Sequence, residues 1–130
     1  MSEQQKPFLV QKFGGTSLAD LNGFEASAAV IARYTDDHRV VVVLSAVKGV
    51  TDLLLAAIDT AVEGGNGAIH LEEAIARERA IINDLGAQGV KTPLAGEFLD
   101  EQYETLARRV VGIRLLGQCP DETRARILAT

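Results

Sequence analysis

Residues 8–17 have the sequence FLVQKFGGTS, and this stretch decides the fold. Its apolar and aromatic first part predicts a short strand over residues 8–13 that ends at two glycines. A helix is predicted to begin at Ser17, with Asp20 three residues later as an acidic variant of the capping box. A strand, a glycine pair and a helix in this order are typical of an α/β protein.

A second strand is predicted at residues 40–44, which have the sequence VVVVL. A continuous β-branched run of this kind predicts a strand buried on both faces, as in a parallel sheet. The helix before it carries apolar residues at spacings of three and four, namely Leu18, Leu21, Phe24, Ala28 and Ile31. A second helix is predicted to begin near Thr51, so the first part of the chain is a βαβα unit.

The remaining residues have helical patterns only. Helices are predicted over residues 68–85, from Thr92-Pro93 to about Leu116, and again after Pro120. The fold class is therefore α/β, with a βαβα unit followed by helices. Two strands are too few for an independently stable parallel sheet, which predicts that this pattern is the first third of a larger α/β domain.

The charge, the cysteine count and the lengths of the apolar runs exclude some classes of function. The 130 residues carry a formal net charge of -5, which argues against general nucleic-acid binding because phosphates need basic surface. The single cysteine, Cys119, excludes an internal disulfide. No apolar run approaches the ~20 residues that span a bilayer. We expect a soluble cytoplasmic protein without a membrane or nucleic-acid partner.

The first candidate site lies at residues 12–17, KFGGTS. Lys12 ends a strand, two glycines allow close backbone approach, and free N–H groups before a helix attract an anion. This pattern predicts a phosphate site, although it is neither a P-loop nor a dinucleotide-binding motif. The alternative is an ordinary strand-to-helix turn, in which the glycines relieve tight geometry and Ser17 caps the helix.

The second candidate site follows the second strand, where residues 45–51 have the sequence SAVKGVT. Adjacent parallel strands end at the same edge of a sheet, so Ser45 and Thr51 are placed to line the same crevice as the glycine loop. The alternative is that Thr51 is only the N-cap of the next helix. His38 lies in a polar connection and is predicted to be a solvated surface residue. His70 has no second ligand nearby, so no metal site is assigned, and Cys119 is predicted to be a structural thiol.

These motifs resemble a known family. The segment KFGGTSLAD at residues 12–20 resembles the amino-terminal signature of aspartokinases in the amino acid kinase family. Residues 43–54 are similar to the second loop of that family, and residues 113–121 to the branch fused to homoserine dehydrogenase. The resemblance implies an amino-acid-kinase fold, in which a mainly parallel sheet is sandwiched between helices.

The resemblance also implies an activity: ATP-dependent phosphorylation of the β-carboxylate of L-aspartate, giving 4-phospho-L-aspartate for lysine, threonine and methionine synthesis. Lys12 matches the catalytic lysine that stabilises the transferring phosphoryl group. The ATP phosphates are expected at Lys12, Gly14, Gly15 and Thr16. Ser45 and Thr51 are expected to bind aspartate, and Mg²⁺ is expected to bind through ATP.

The matching stretch is also short for that family. Residues 1–130 match the amino-terminal portion of the kinase domain, without the nucleotide-binding half and the regulatory ACT domains. We therefore expect the chain alone to be inactive, to work with the remainder of a kinase chain, and to form a homo-oligomer in the full-length protein. The alternatives are a non-catalytic module that binds an anion or a partner, and a kinase acting on another carboxylate or a carbamate.

Overall fold

The computed structural model describes Ser2 and residues 5–130, which form two compact units, Met1–Lys48 and Gly49–Thr130. The first unit contains β1 (Phe8–Phe13), a 3₁₀ turn (Gly15–Leu18), α1 (Leu21–Ala32) and β2 (Arg39–Leu44). The second contains α2 (Val50–Val62), α3 (Ala68–Ala87), α4 (Pro93–Leu116) and α5 (Asp121–Leu128). None of the helices in the described part of the chain has the length and apolar character needed to cross a membrane.

β1 and β2 form a parallel two-stranded sheet. Phe8 pairs with Arg39 at one end and Phe13 with Leu44 at the other. Aromatic and β-branched residues favour this extended, pleated backbone, and a helix connects the strands as a parallel pairing requires. The α/β fold class predicted from the sequence is therefore confirmed.

The burial expected for the second strand is not observed. Val41, Val43 and Leu44 are 43%, 44% and 57% exposed, whereas the sequence predicted a strand covered on both faces. β-Branched residues stabilise the strand conformation locally, but burial depends on what packs on each face of the sheet. The described residues leave much of β2 uncovered.

The first helix begins four residues later than predicted. Asp20, not Ser17, is its N-cap: the Asp20 carboxylate accepts a hydrogen bond from the Gly23 N–H at 2.9 Å. Asp and Ser are almost equally good N-caps, so local sequence did not distinguish the two positions. The short 3₁₀ turn before Asp20 buries Leu18, which is only 2% exposed.

The second unit is a set of packed helices in which α2 contacts α3, α4 and α5. The predicted start of α4 is confirmed, with Pro93 in its first turn, and Gly117 ends it with a left-handed φ of 64°. The core consists of aliphatic side chains from all four helices: Val50, Leu54, Ala57, Ile58, Ala61, Leu71, Ala74, Ile81, Leu106, Val110, Ile113 and Ile127. Aromatic side chains are absent from this set, as the composition indicated.

One carboxyl group of this unit predicts a dependence of stability on pH. Burial raises the pKa of Glu78 on α3 above its usual value. A raised pKa in the folded state favours folding below the unfolded-state pKa, and this contribution is lost as the pH rises through the folded-state pKa. We therefore expect Glu78→Gln to raise the melting temperature at pH 7 and to have no such effect near pH 3.

Thermal unfolding followed by circular dichroism at both pH values measures this difference. Glu73→Gln is a suitable control, because Glu73 is exposed and pairs with Arg77 one turn away. A gain from Glu78→Gln that is equal at both pH values would contradict the assignment.

Candidate functional site

Lys12 lies one residue before the end of β1, opposite Val43 of β2. Its side chain is exposed, as are those of Phe8 and Val10, which lie on the same face of the strand because successive residues alternate. The strand therefore presents a cation at the carboxyl end of an open sheet face. This is the edge of a parallel sheet at which ligands bind in open α/β folds.

Neither the backbone conformation at Gly14 nor the space around it requires a glycine. Its φ of -82° and ψ of 175° are an extended conformation that any residue adopts. A Cβ atom added there would meet no atom within 4 Å. The relief of tight geometry that an ordinary turn would require is therefore not the reason for glycine at this position, and its absent side chain leaves the backbone open to an approaching group.

Gly15 connects the glycine loop to the loop after β2. A Cβ atom at Gly15 would lie 3.7 Å from the Ala46 carbonyl oxygen and 3.9 Å from Ser45 Oγ. The Ser45 N–H also donates to the Phe13 carbonyl oxygen at 3.0 Å, which extends the parallel ladder past both strand ends. The structure thus brings Ser45 beside the glycine loop, as the shared sheet edge predicted.

Thr16 and Ser17 continue the loop as part of the 3₁₀ turn. The Ser17 N–H donates to the Gly14 carbonyl oxygen at 3.0 Å, whereas the N–H groups of Gly15 and Thr16 lie in the first turn, where no intrahelical acceptor exists. The sequence predicted that a helix begins at Ser17 and that its N-terminus helps to attract an anion. This prediction is wrong. α1 begins at Leu21, and its own Asp20 carboxylate occupies that N-terminus.

Two residues that sequence reasoning did not select hold this loop in place. Ser27 is 6% exposed, and its hydroxyl donates to the Ser17 carbonyl oxygen at 3.5 Å. Gly23 packs against the same carbonyl so closely that a Cβ atom would collide with it. The available signal was a glycine inside a helical pattern, which is often explained by a close backbone approach.

Thr51 belongs to the second unit, where it is exposed in the first turn of α2. The N-cap of this helix is Gly49, whose φ of 85° lies in the left-handed region that favours glycine. The alternative reading of Thr51 as an N-cap is therefore wrong. Its hydroxyl is not used as a cap.

The two histidines and the cysteine considered in the sequence analysis lie outside the candidate loops. His70 Nε2 lies 3.1 Å from Thr60 Oγ1, and His38 packs edge-on against the Tyr34 ring. Cys119 is a half-buried free thiol. Across Ser2 and residues 5–130, no three His, Cys, Asp or Glu side chains are grouped closely enough to hold a metal ion.

Comparison with known proteins identifies the family. The Amino acid kinase family matches residues 7–112, which include β1, both candidate loops and most of α4. The chain belongs to the amino acid kinase family. The resemblance of the chain to aspartokinases is also confirmed by individual relatives.

Two relatives have the name bifunctional aspartokinase/homoserine dehydrogenase. The protein of Buchnera aphidicola is 32% identical over 121 residues, and that of Haemophilus influenzae is 31% identical over 120 residues. Each match includes 91% of this chain but 15% of the relative. The chain therefore spans about one seventh of the length of these curated relatives.

A third relative is shorter. It is a Haemophilus influenzae protein named "Putative inactive aspartokinase 3", 42% identical over 80 residues, with 61% of this chain and 55% of that protein covered. Sequence similar to part of this chain is thus found both in proteins named as bifunctional aspartokinases and in a protein named as inactive.

Proposed function

We propose that this chain provides the phosphate-loop part of an aspartate kinase, which transfers the γ-phosphoryl group of ATP to the β-carboxylate of L-aspartate. The observation that carries the proposal is the open backbone at Gly14, two residues after an exposed Lys12. Membership of the amino acid kinase family and the names of two relatives support the reaction class.

The proposed mechanism depends on positioning and charge. An attacking β-carboxylate oxygen of aspartate forms a bond to the γ-phosphorus, and the bond to the bridging oxygen of ADP breaks. Negative charge is spread over the phosphoryl oxygens during this transfer, so a fixed cation lowers the barrier. Lys12 is the group proposed to provide it, while the backbone at Gly14, Gly15 and Thr16 lies against the ATP phosphates.

Ser45 and Thr51 are proposed to bind aspartate. Both side chains are exposed, and a hydroxyl donates to a carboxylate without adding charge near the reacting group. Ser45 Oγ lies closest to the phosphate loop, through its approach to Gly15. We therefore assign Ser45 to the reacting end of aspartate and Thr51 to substrate binding more generally.

Mg²⁺ is proposed to bind through ATP. Lys12 and the loop N–H groups are hydrogen-bond donors that suit phosphate oxygens, and they are not ligands for a cation. When bound, the ion would neutralise part of the charge on the phosphates. The described residues offer no group of acidic side chains for a separate metal site.

The proposal assigns different tasks to this chain and to the rest of the enzyme. We assign adenine binding and regulation to sequence beyond the match with this chain, because the chain spans 15% of each bifunctional relative. The proposed assembly is a cytoplasmic homo-oligomeric enzyme of lysine, threonine and methionine synthesis. The chain alone is then expected to show no turnover.

A second function is favoured by the relative whose name calls it inactive. In this alternative the chain binds an anion or a protein partner through the same loops and performs no transfer. Only the kinase function includes transfer of a phosphoryl group, so turnover distinguishes the two functions.

The decisive experiment replaces the matching segment of the Buchnera aphidicola relative with this chain. Formation of aspartyl phosphate from aspartate and ATP is measured as the hydroxamate, for the 130-residue chain alone and for the fused enzyme. Turnover by the fused enzyme supports the kinase function. A folded but inactive fused enzyme that still binds ATP supports the non-catalytic alternative instead.

Replacing Gly14 with alanine provides a test on the loop itself. An alanine fits the backbone conformation and meets no atom within 4 Å, so stability should change by less than about 0.5 kcal/mol. A methyl group on the exposed backbone should weaken the binding of tripolyphosphate to the chain by roughly tenfold or more.

Nuclear magnetic resonance titration of the labelled chain with tripolyphosphate measures the affinity, because the amide signals of residues 14–16 should shift on binding. Urea unfolding followed by circular dichroism measures the stability. Gly86→Ala is the control. Gly86 lies on α3, and a Cβ atom added there also meets no atom within 4 Å. Unchanged affinity in Gly14→Ala would overturn the role given to this glycine.

A further inference from the structure

The turn at Gly49 leads the chain into α2 and so controls where Thr51 lies. Gly49 has a φ of 85°, and its carbonyl oxygen accepts a hydrogen bond from the Leu53 N–H at 3.2 Å. Thr51 follows two residues later, in the first turn of the helix. Glycine has more backbone freedom than any other residue, so contacts from outside the turn restrict its conformation. The position of the Thr51 hydroxyl therefore depends on what packs on Gly49.

Arg77 of α3 packs on this turn, within the same unit of the chain. A Cβ atom added at Gly49 would collide with Arg77 Nη1 and would lie 3.3 Å from Arg77 Cζ, so the guanidinium lies directly against the glycine backbone. The same guanidinium donates from Nη2 to Glu73 Oε1 at 2.7 Å, one turn earlier on α3. One nitrogen of Arg77 is therefore at the turn, while another is bonded to a carboxylate of its own helix.

Helix stability gives little reason for a cation at this place. The N-terminal end of a helix dipole favours negative charge, which Asp52 provides in the first turn of α2. A guanidinium has the opposite sign and is unfavourable there. The ion pair is exposed on both sides, with 44% of the Arg77 side chain and 54% of the Glu73 side chain accessible, and such pairs add little stability. Restraint of the turn explains the placement of Arg77 better.

We propose that Arg77 is a positioning residue for substrate binding: its guanidinium restrains the Gly49 turn and so holds the Thr51 hydroxyl where aspartate binds. This inference rests on the proposed function, in which Thr51 binds aspartate. Arg77 acts through the backbone of the turn and is not assigned a contact with the substrate. A planar guanidinium can lie against Gly49 and donate to Glu73 together, whereas the ammonium of a lysine is a compact point charge. Arg77→Lys is therefore expected to behave like Arg77→Ala.

Kinetics of the fused enzyme test this role. We expect Arg77→Ala to raise the KM for aspartate about tenfold, the worth of one hydrogen bond to a charged group, and to change kcat and the KM for ATP less than about twofold. Partial unfolding would instead lower kcat, because fewer molecules are active, and would leave KM unchanged. Arg126→Ala is the matched control, because Arg126 forms an exposed ion pair with Glu122 four residues earlier on α5. All three constants should stay unchanged in this control.

The possible results separate this inference from the proposed function. A fused enzyme that shows no turnover with Arg77 intact would overturn the proposed function and the substrate role of Arg77 with it. An active enzyme whose KM for aspartate is the same in Arg77→Ala would overturn the role of Arg77 alone. A normal KM in Arg77→Lys would contradict the assigned contact, because charge without the guanidinium would then be sufficient.

Amide relaxation of the labelled 130-residue chain, measured by nuclear magnetic resonance, tests the restraint directly. The order parameter of the Gly49 amide should fall from about 0.85, typical of rigid backbone, to below about 0.6 in Arg77→Ala. It should stay unchanged in Arg126→Ala, and circular dichroism confirms that both variants are folded. An order parameter equally high without Arg77 would overturn the proposal, since other contacts would then hold the turn.

Discussion

Replacing Lys12 with alanine is expected to reduce aspartyl phosphate formation by the fused enzyme by about 10²–10³-fold. The lysine is exposed at the end of β1, so its removal takes away charge at the proposed phosphoryl site without opening a cavity. Positioning and charge stabilisation provide most of the catalysis in phosphoryl transfer. The loss should appear in kcat, measured by the hydroxamate assay at saturating ATP and aspartate.

Lys91→Ala is the matched control. Lys91 is exposed in the connection before α4, so its replacement removes the same charge from the chain without touching either candidate loop. Its effect on kcat should be less than about twofold, and urea titration of both variants should give unchanged free energies of unfolding. A Lys12→Ala enzyme that keeps a near-normal rate would refute the catalytic role of Lys12.

Much of the site was predictable because it follows from local pattern and sheet topology. Residues 8–13 and the β-branched run have high strand propensity, and the helix between them provides the crossover connection that a parallel pairing needs. The approach of Ser45 to Gly15 then follows, since adjacent parallel strands end at one edge. No knowledge of a distant partner was needed for these steps.

The errors arose where a distant contact decides the outcome. Ser17 and Asp20 are both good N-caps, and the choice of Asp20 accompanies packing of Gly23 and Ser27 against the Ser17 carbonyl. That contact joins residues up to ten positions apart, which local capping rules do not consider. The exposure of Val43 was missed for a related reason, since hydropathy predicts a strand but does not say what covers it.

The second large effect concerns the helical unit, where Ile58→Ala is expected to lower the free energy of unfolding by about 2–5 kcal/mol. Ile58 on α2 is fully buried, with 0% exposure, and α2 packs on three other helices. Loss of the side chain removes apolar burial and leaves a cavity that surrounding helices fill only in part. A domain of this size is stable by only about 5–15 kcal/mol, so a large share of its stability would be lost.

Ile69→Ala makes the same chemical change at a 60% exposed position on α3, and it should alter stability by less than about 0.5 kcal/mol. Because side-chain volume and helix propensity change equally in both variants, the difference between them isolates burial. Urea unfolding followed by circular dichroism at 222 nm measures it, since the second unit contains four of the five α-helices in the described residues. Equal losses in the two variants would mean that Ile58 is not in the core of this unit, and the packing of α2 described above would be wrong.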